Sequence, residues 1–261
     1  MLIYLERMHF LHSFPSRCYW CPMKNLVDLH AHILPGLDDG PQDLQGSLKM
    51  LEALEEMGFS HVFATPHHRL YSWEGIEPET VENAVRDMTA AAAKLPIGIN
   101  ILPGMEFDLD ETLPGRVSTL PGGAGHMLVD VGFLGVPRDL GDLLEEVMNV
   151  GAKVFLVHPE RNDELCRLRQ ELSDLITSGV RLLGNIGSFS GMYGRKVQRD
   201  ARILLQEGYY WAVASDMHSH DQLSWIRKGI NELVMLAGKE TAEELMATRP
   251  MQMVQAMEGD R

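Results

Sequence analysis

Cysteine is scarce in this 261-residue chain, with three residues at Cys18, Cys21 and Cys166. An odd and low count excludes a disulfide scaffold. The C-x-x-C formed by Cys18-Tyr19-Trp20-Cys21 has no partner pair with which to enclose a metal ion. Long apolar runs are lacking too, none approaching the ~20 residues that span a bilayer, so a soluble cytoplasmic protein is expected. There is no cluster of basic residues: 23 Lys and Arg stand against 37 Asp and Glu, a net charge of −14. That argues against a nucleic-acid surface, which depends on clustered cations. No glycine-rich G-x-G-x-x-G follows the first apolar run, which removes a dinucleotide site. No cysteine has an arginine six positions later; those places hold Lys24, Val27 and Leu172, so a cysteine-based phosphate loop is excluded. The serine elbow G-x-S-x-G is absent. Ile186-Gly187-Ser188-Phe189-Ser190-Gly191 only resembles it by eye and reads as a flexible wall.

What is present is ordinary globular composition, 45% hydrophobic and 23% charged, arranged as short apolar runs alternating with helical patterns. Strands are expected at 26–29, 61–64, 97–102, 127–131, 154–157, 182–186 and 211–214. Between them helices are expected at 44–57, 78–94, 140–150, 164–178 and 194–206, with a last helical region over 222–237 and 242–247. Seven strands in alternation with helices predict a parallel β/α architecture, either a closed barrel or an open doubly wound sheet. Residues 1–22 lack a sustained apolar segment and a small-residue cleavage site. They are read as an extension, Met23 as a candidate start, and residues 23–261 as a single domain.

In either architecture the chemistry belongs at the carboxyl ends of the strands. Strand one runs out through Asp28-Leu29-His30-Ala31-His32, where a period of two places Asp28, His30 and His32 on one face and Val27, Leu29 and Ala31 on the other. The following loop carries Asp38 and Asp39. Later exits carry Thr65-Pro66-His67-His68-Arg69, Gly104-Met105-Glu106, Asp130, His158-Pro159-Glu160-Arg161 and Ser215-Asp216-Met217-His218. Only strand six offers no His, Asp or Glu at its exit. Six exits with mixed imidazole and carboxylate are how polynuclear metal sites are built. Asp38 and His68 are read as neighbours of the ligands rather than ligands. Asp39, Glu106, Asp130 and Asp216 carry four negative charges, which two divalent ions neutralise and three exceed. A negative protein can thus hold a positive pocket suited to a phosphate ester. Metal-bound hydroxide is the expected nucleophile. Arg69 and Arg161 are the candidate substrate-binding cations, and Tyr71 and Trp73 stand beside Arg69 as a candidate aromatic wall.

The order D-x-H-x-H, D-D-G-P, T-P-H, G-x-E, H-P-E-R and S-D-x-H resembles the PHP (polymerase and histidinol phosphatase) family over about residues 24–247. The stretches 30–41 (HAHILPGLDDGP), 185–196 (NIGSFSGMYGRK) and 214–218 (ASDMH) are similar to its CpsB/CapC branch, the bacterial metal-dependent protein-tyrosine phosphatases of capsule and exopolysaccharide systems. The resemblance implies a distorted (β/α)7 barrel and a phosphoric monoester hydrolase with three divalent ions. Manganese is the expected metal, and iron or zinc is also compatible with mixed ligation. By that resemblance one ion takes His30, His32, Glu106 and Asp216. A second shares Glu106 and takes Asp130 and His158, and a third takes Asp39, His67 and His218. Arg161 holds phosphate, and Arg161, Asp216 and His218 are the expected catalytic residues. The implied partner is an autophosphorylating bacterial tyrosine kinase. Two departures stand out: Asp130 replaces the family's usual Glu, and no Arg follows Ser215-Asp216-Met217-His218 until Arg227. Alternatives are a small-molecule phosphomonoesterase of the histidinol-phosphatase kind, a metal-dependent exonuclease and a metal-loaded binding module without turnover.

Overall fold

The computed structural model describes residues 23–68, 76–119, 126–132 and 135–259. Cys18, Cys21, Arg69, Tyr71 and Trp73 lie outside them. The chain alternates strands and helices. β1 (Leu26–Ala31) leads to α1 (Leu44–Glu56), whose N-terminus is capped by the Asp43 carboxylate accepting from Gly46 N. Helix α1 buries Met50, Leu51 and Leu54. It ends at Gly58, whose φ of +96° and contact with the Met23 carbonyl leave no room for a Cβ. β2 (Phe59–Ala64) and β3 (His67–His68) follow as one strand path broken at Thr65-Pro66. After α2 (Pro78–Ala92), β4 (Asn100–Pro103) and β5 (Glu106–Asp108) form a second broken path, interrupted at Gly104-Met105. Then come β6 (His126–Asp130), α3 (Leu140–Asn149), β7 (Lys153–Val157), α4 (Arg169–Ser178), β8 (Arg181–Asn185), α5 (Ile186–Ser190), α6 (Arg195–Gln206), β9 (Tyr210–Ala214), α7 (Leu223–Ala237), α8 (Lys239–Glu243) and α9 (Arg249–Gly259).

All ladders are parallel. One sheet is ordered β1-β2-β4 and the other β3-β5-β6-β7-β8-β9. Taking each broken path as one strand gives the expected seven in sequential order. The two breaks follow from proline: Pro66 and Pro103 lack the N–H a regular ladder needs. Hydrogen bonds Gly104 N to Ala64 O (3.0 Å) and Glu106 N to Pro66 O (3.1 Å) carry the pairing across in shifted register. The last path returns to the first: Ala31 bridges Met217, His32 N donates to Met217 O (3.0 Å), and Asp216 N donates to His30 O (2.8 Å). The result is a distorted (β/α)7 barrel-like array with its strand exits gathered at one end.

An inner cluster contains Val27, Leu29, Phe63, Leu102, Leu128, Phe155, Leu183 and Ala212, drawn from all seven paths, together with Met253 and Val254 of α9. Arg249 donates to the carbonyls of Tyr210 and Trp211 at the start of β9, so α9 plugs the amino end, opposite the exits. This helix lies beyond the last expected helical region. It continues from α8 without a break through a π turn at Glu244–Thr248, and Pro250 stands just after that turn. Three further expectations are corrected. Val27, Leu29 and Ala31 do not share a face: Ala31 joins the outer cluster, because the register slips between Asp28 and Ala31. The segment after β8 is not a flexible wall but the buried turn of helix α5, against which Gly229 of α7 packs so closely that a Cβ there would lie 2.1 Å from Ile186 O. Helix α4 also begins five residues later than the expected helix start at 164, because Asn162 Oδ1 accepts from Glu164 N and Leu165 N and holds that stretch as a turn.

Candidate metal centre

The slip in β1 turns His30 and His32 together into the exit end. Their Nε2 atoms are 3.1 Å apart. His30 Nε2 is 3.4 Å from Glu106 Oε2 and 3.5 Å from Asp216 Oδ1; His32 Nε2 is 3.5 Å and 3.4 Å from the same two oxygens. A four-coordinate ion with ligands at about 2.1 Å has edges of about 3.4 Å between them. Five measured edges therefore fit one ion. Glu106 Oε2 is buried with His30 Nε2, His32 Nε2 and His67 Nδ1 all within 3.5 Å, yet none of them meets it in hydrogen-bond geometry, an arrangement that suits a shared cation between them. The donor set fits a divalent metal.

Ladder register brings up the next candidate ligands. His67 pairs opposite Glu106, and its Nδ1 lies 2.6 Å from Glu106 Oε2. Its Nε2 and His218 Nε2 each lie 3.4 Å from Asp39 Oδ1. His32, Asp39, His67 and His218 thus converge as a second group. A third consists of His30, Glu106 and His158, with His158 Nε2 3.1 Å from Glu106 Oε1. Asp130 stands outside this group. It faces the other imidazole nitrogen of His158 at 3.9 Å and accepts from Gly132 N at 2.9 Å. His158 and Asp216 both adopt positive φ, +35° and +50°. Such left-handed non-glycine residues store of order 1 kcal/mol or more, and here they sit at the exits of β7 and β9, where they turn two candidate ligands toward the site.

Charge balance is tight. Burial opposes ionisation of Glu106 and Asp216, but the imidazoles around them prevail. His30 and His67 hold Glu106 well below the usual carboxylate range, and His30, His32, His158 and His218 do the same for Asp216. Burial in turn opposes protonation of His30, yet Glu106 and Asp216 raise its pKa. The carboxylates are held ionised by positive charge nearby, and a metal ion entering here takes the place of protons.

Neighbours complete the site. Asp38 Oδ2 lies 2.7 Å from His32 Nδ1 and accepts from His67 N, so it fixes the His32 ring beside the candidate ligands. His68 turns away, against Phe107 and Arg116. Arg161 donates to Asp216 Oδ2 at 2.7 Å, lies 4.4 Å from the Tyr193 ring centroid, and borders a cavity of about 180 Å³ with Asp39, His67, Asp130, Asp216 and His218. Sequence reasoning missed Asn185, Glu160 and Tyr193. Asn185 Nδ2 donates to Asp216 Oδ2 at 2.6 Å. Buried Glu160 accepts from Asn185 N, Ser188 Oγ and Tyr210 Oη. Cys166 is buried, donates to Pro159 O, and its thiol is pushed up to about 12, chiefly by burial. Cys166→Ser is expected to leave kcat within about twofold of the parent, measured on p-nitrophenyl phosphate; a large loss would revive a thiol mechanism.

Known proteins are similar to this chain to differing degrees. The tyrosine-protein phosphatase YwqE of Bacillus subtilis is 29% identical over 198 residues, 74% of this chain and 78% of its own. CpsB of Streptococcus pneumoniae, also a tyrosine-protein phosphatase, is 24% identical over 239 residues, 88% of this chain and 98% of its own. A chain from the crystal structures of Bacillus subtilis YwqE and Streptococcus pneumoniae CpsB, described as unique metal-dependent tyrosine phosphatases, aligns with a TM-score of 0.76 at 26% identity, covering 89% of this chain and 93% of that one. Histidinol phosphate phosphatase from Lactococcus lactis shares the fold at a TM-score of 0.54 and 14% identity, covering 82% of this chain and 95% of its own. The model of the capsular polysaccharide synthesis CpsB/CapC family matches residues 26–255, and the chain belongs to that family.

Proposed function

We propose that this protein is a metal-dependent phosphotyrosine-protein phosphatase acting on an autophosphorylating tyrosine kinase of capsule or exopolysaccharide synthesis. The observation that carries the reading is the convergence of His30, His32, Glu106 and Asp216 on one ion-sized space, with the Arg161 guanidinium on the far oxygen of Asp216. Family membership supports the reaction class. The proposal holds three ions, manganese first among them, in the sets His30–His32–Glu106–Asp216, Glu106–Asp130–His158 and Asp39–His67–His218. Asp130 faces His158 Nδ1 whereas Glu106 faces Nε2, so in this proposal Asp130 turns toward the Nε2 side to complete the second set. Residues 23–261 form the catalytic domain, and its place is the cytoplasm, where ATP-dependent tyrosine phosphorylation occurs. Among the described residues no helix is long and apolar enough to cross a membrane.

When bound, the ions supply Lewis acidity toward phosphoryl oxygens and acidify water. The chain's own residues do the rest. Arg161, its guanidinium fixed at one edge by Asp216 and stacked on Tyr193, presents its remaining N–H groups to the phosphate. Asp216 and His218 serve catalysis by holding ions in place. Arg69, outside the described residues, is proposed as a second substrate cation. The inner cavity suits a phosphoryl group. Through Arg161 and Asn162 it adjoins a wider depression of about 540 Å³ bordered by Asp163, Glu164 and Arg167, which leaves room for a polypeptide. The test is phosphate release from a phosphotyrosyl peptide by chelated protein and by the same protein refilled with Mn²⁺. Restoration on refilling is expected. No release with Mn²⁺, Fe²⁺ or Zn²⁺, alongside turnover of histidinol phosphate, would replace the protein substrate with a small one.

A further inference from the structure

The exit of β8 is the only one without a His, Asp or Glu, and the residue there is Asn185, fully buried. Its amide orientation is fixed by chemistry. Nδ2 lies 2.6 Å from Asp216 Oδ2, a separation that only a donor tolerates beside a carboxylate, and 3.4 Å from Tyr193 Oη. Its Oδ1 has no hydrogen-bond partner. An asparagine buried with half its side-chain polar atoms unmet contributes little to fold stability. Nor is the side chain needed to anchor the strand end, since Asn185 N is already held by Glu160 Oε1 at 2.8 Å. What the side chain does provide is the second donor on Asp216 Oδ2, beside Arg161 Nη1 at 2.7 Å. Two donors on Oδ2 stop the carboxylate from rotating, so Oδ1 remains toward His30 Nε2 and His32 Nε2 at 3.5 and 3.4 Å.

We infer that Asn185 is a positioning residue for the Asp216 ligand, acting through its amide N–H. The inference rests on the metal-centre reading above. It gives the β8 exit a place in the site without giving it a metal bond, and it explains why the residue there is neutral. A carboxylate would oppose Asp216, and an imidazole would compete for its Oδ2 as a cation, which Arg161 already supplies.

Threonine and valine have the same shape and differ in one hydroxyl donor, so Asn185→Thr and Asn185→Val pose the question with equal disturbance to packing. Metal-stripped parent and variants are titrated with Mn²⁺ by calorimetry, melted, and assayed on p-nitrophenyl phosphate. Asn185→Val is expected to bind Mn²⁺ about 10–100-fold more weakly, with kcat reduced and KM little changed, and Asn185→Thr to recover a substantial part of both. Equal Mn²⁺ affinity in the two variants, or a loss confined to melting temperature, would overturn the inference while leaving the metal centre intact. Parent protein that takes up no Mn²⁺ would overturn the metal-centre reading, and this inference with it. Should neither chain fold, Asn185→Ser against Asn185→Ala repeats the comparison with smaller side chains.

Discussion

Replacing Asp216 with Ala is expected to lower kcat by about 10³-fold or more and to leave the purified protein short of at least one metal equivalent. The size follows from what meets at this one carboxylate. Oδ1 closes the ligand set with His30 and His32, and Oδ2 binds both Arg161 and Asn185. Losing a metal's charge stabilisation removes several kcal/mol from the transition state, and each 1.4 kcal/mol is about tenfold in rate. Arg161 loses its anchor at the same time, so the phosphate clamp loosens along with the ion. His30→Ala separates these effects, because it removes an imidazole from the ligand set and leaves the Arg161–Asp216 pair standing. It should therefore lower metal content and kcat with less increase in KM than Asp216→Ala. Elemental analysis of each purified variant, beside kcat and KM on a phosphotyrosyl peptide, measures all three quantities. Full metal content with an unchanged rate in either variant would end the assignment.

The residues that chemistry demands were legible because ligand types are rare in an apolar strand and a parallel array gathers its exits. His30, His32, His67, Glu106, His158, Asp216, His218 and Asp39 come together from loops and strands spread over 188 positions of chain. What the sequence hid was conformation and support. The positive φ of His158 and Asp216 arises from hydrogen bonds across strands, His158 N to Leu183 O and Asp216 N to His30 O, and no local pattern announces it. The slip in β1 hid for the same reason: alternation of polar and apolar residues looks regular through Asp28–His32, but the Asp28 carboxylate is pulled to Ser215 N and the facing residues change sides. Asn185 was missed because an amide before Ile186-Gly187 has no metal-ligand signature. Glu160 was seen only as a letter of His158-Pro159-Glu160-Arg161, although it has no exposed surface.

Glu160 carries the second large expectation, on stability rather than rate. Its carboxylate is buried and accepts three hydrogen bonds: Asn185 N at 2.8 Å and Ser188 Oγ at 2.7 Å on Oε1, and Tyr210 Oη at 3.0 Å on Oε2. These donors come from the exit of β8, the helical turn α5 and the start of β9, so one side chain ties three elements behind the site. Glu160→Ala leaves all three donors buried without an acceptor and opens a cavity, a loss of about 3–5 kcal/mol. For a domain of this size that lowers the melting temperature by about 10 °C. Glu160→Gln should be far milder, about 1 kcal/mol, for a specific reason. Its amide oxygen can keep both donors of the Oε1 position, and its NH₂ then faces Tyr210, whose hydroxyl turns to accept instead of donate. Backbone N–H groups cannot make that reversal, so the same glutamine placed the other way round would confront Asn185 N with a second donor, and this orientation is disfavoured. Thermal melting of the two variants in parallel reads the difference. A large gap between Ala and Gln identifies acceptor geometry, rather than negative charge, as what holds the β8 exit in place. Equal and severe losses would mean that the charge itself is required, with Arg161 next in the chain as the partner to examine.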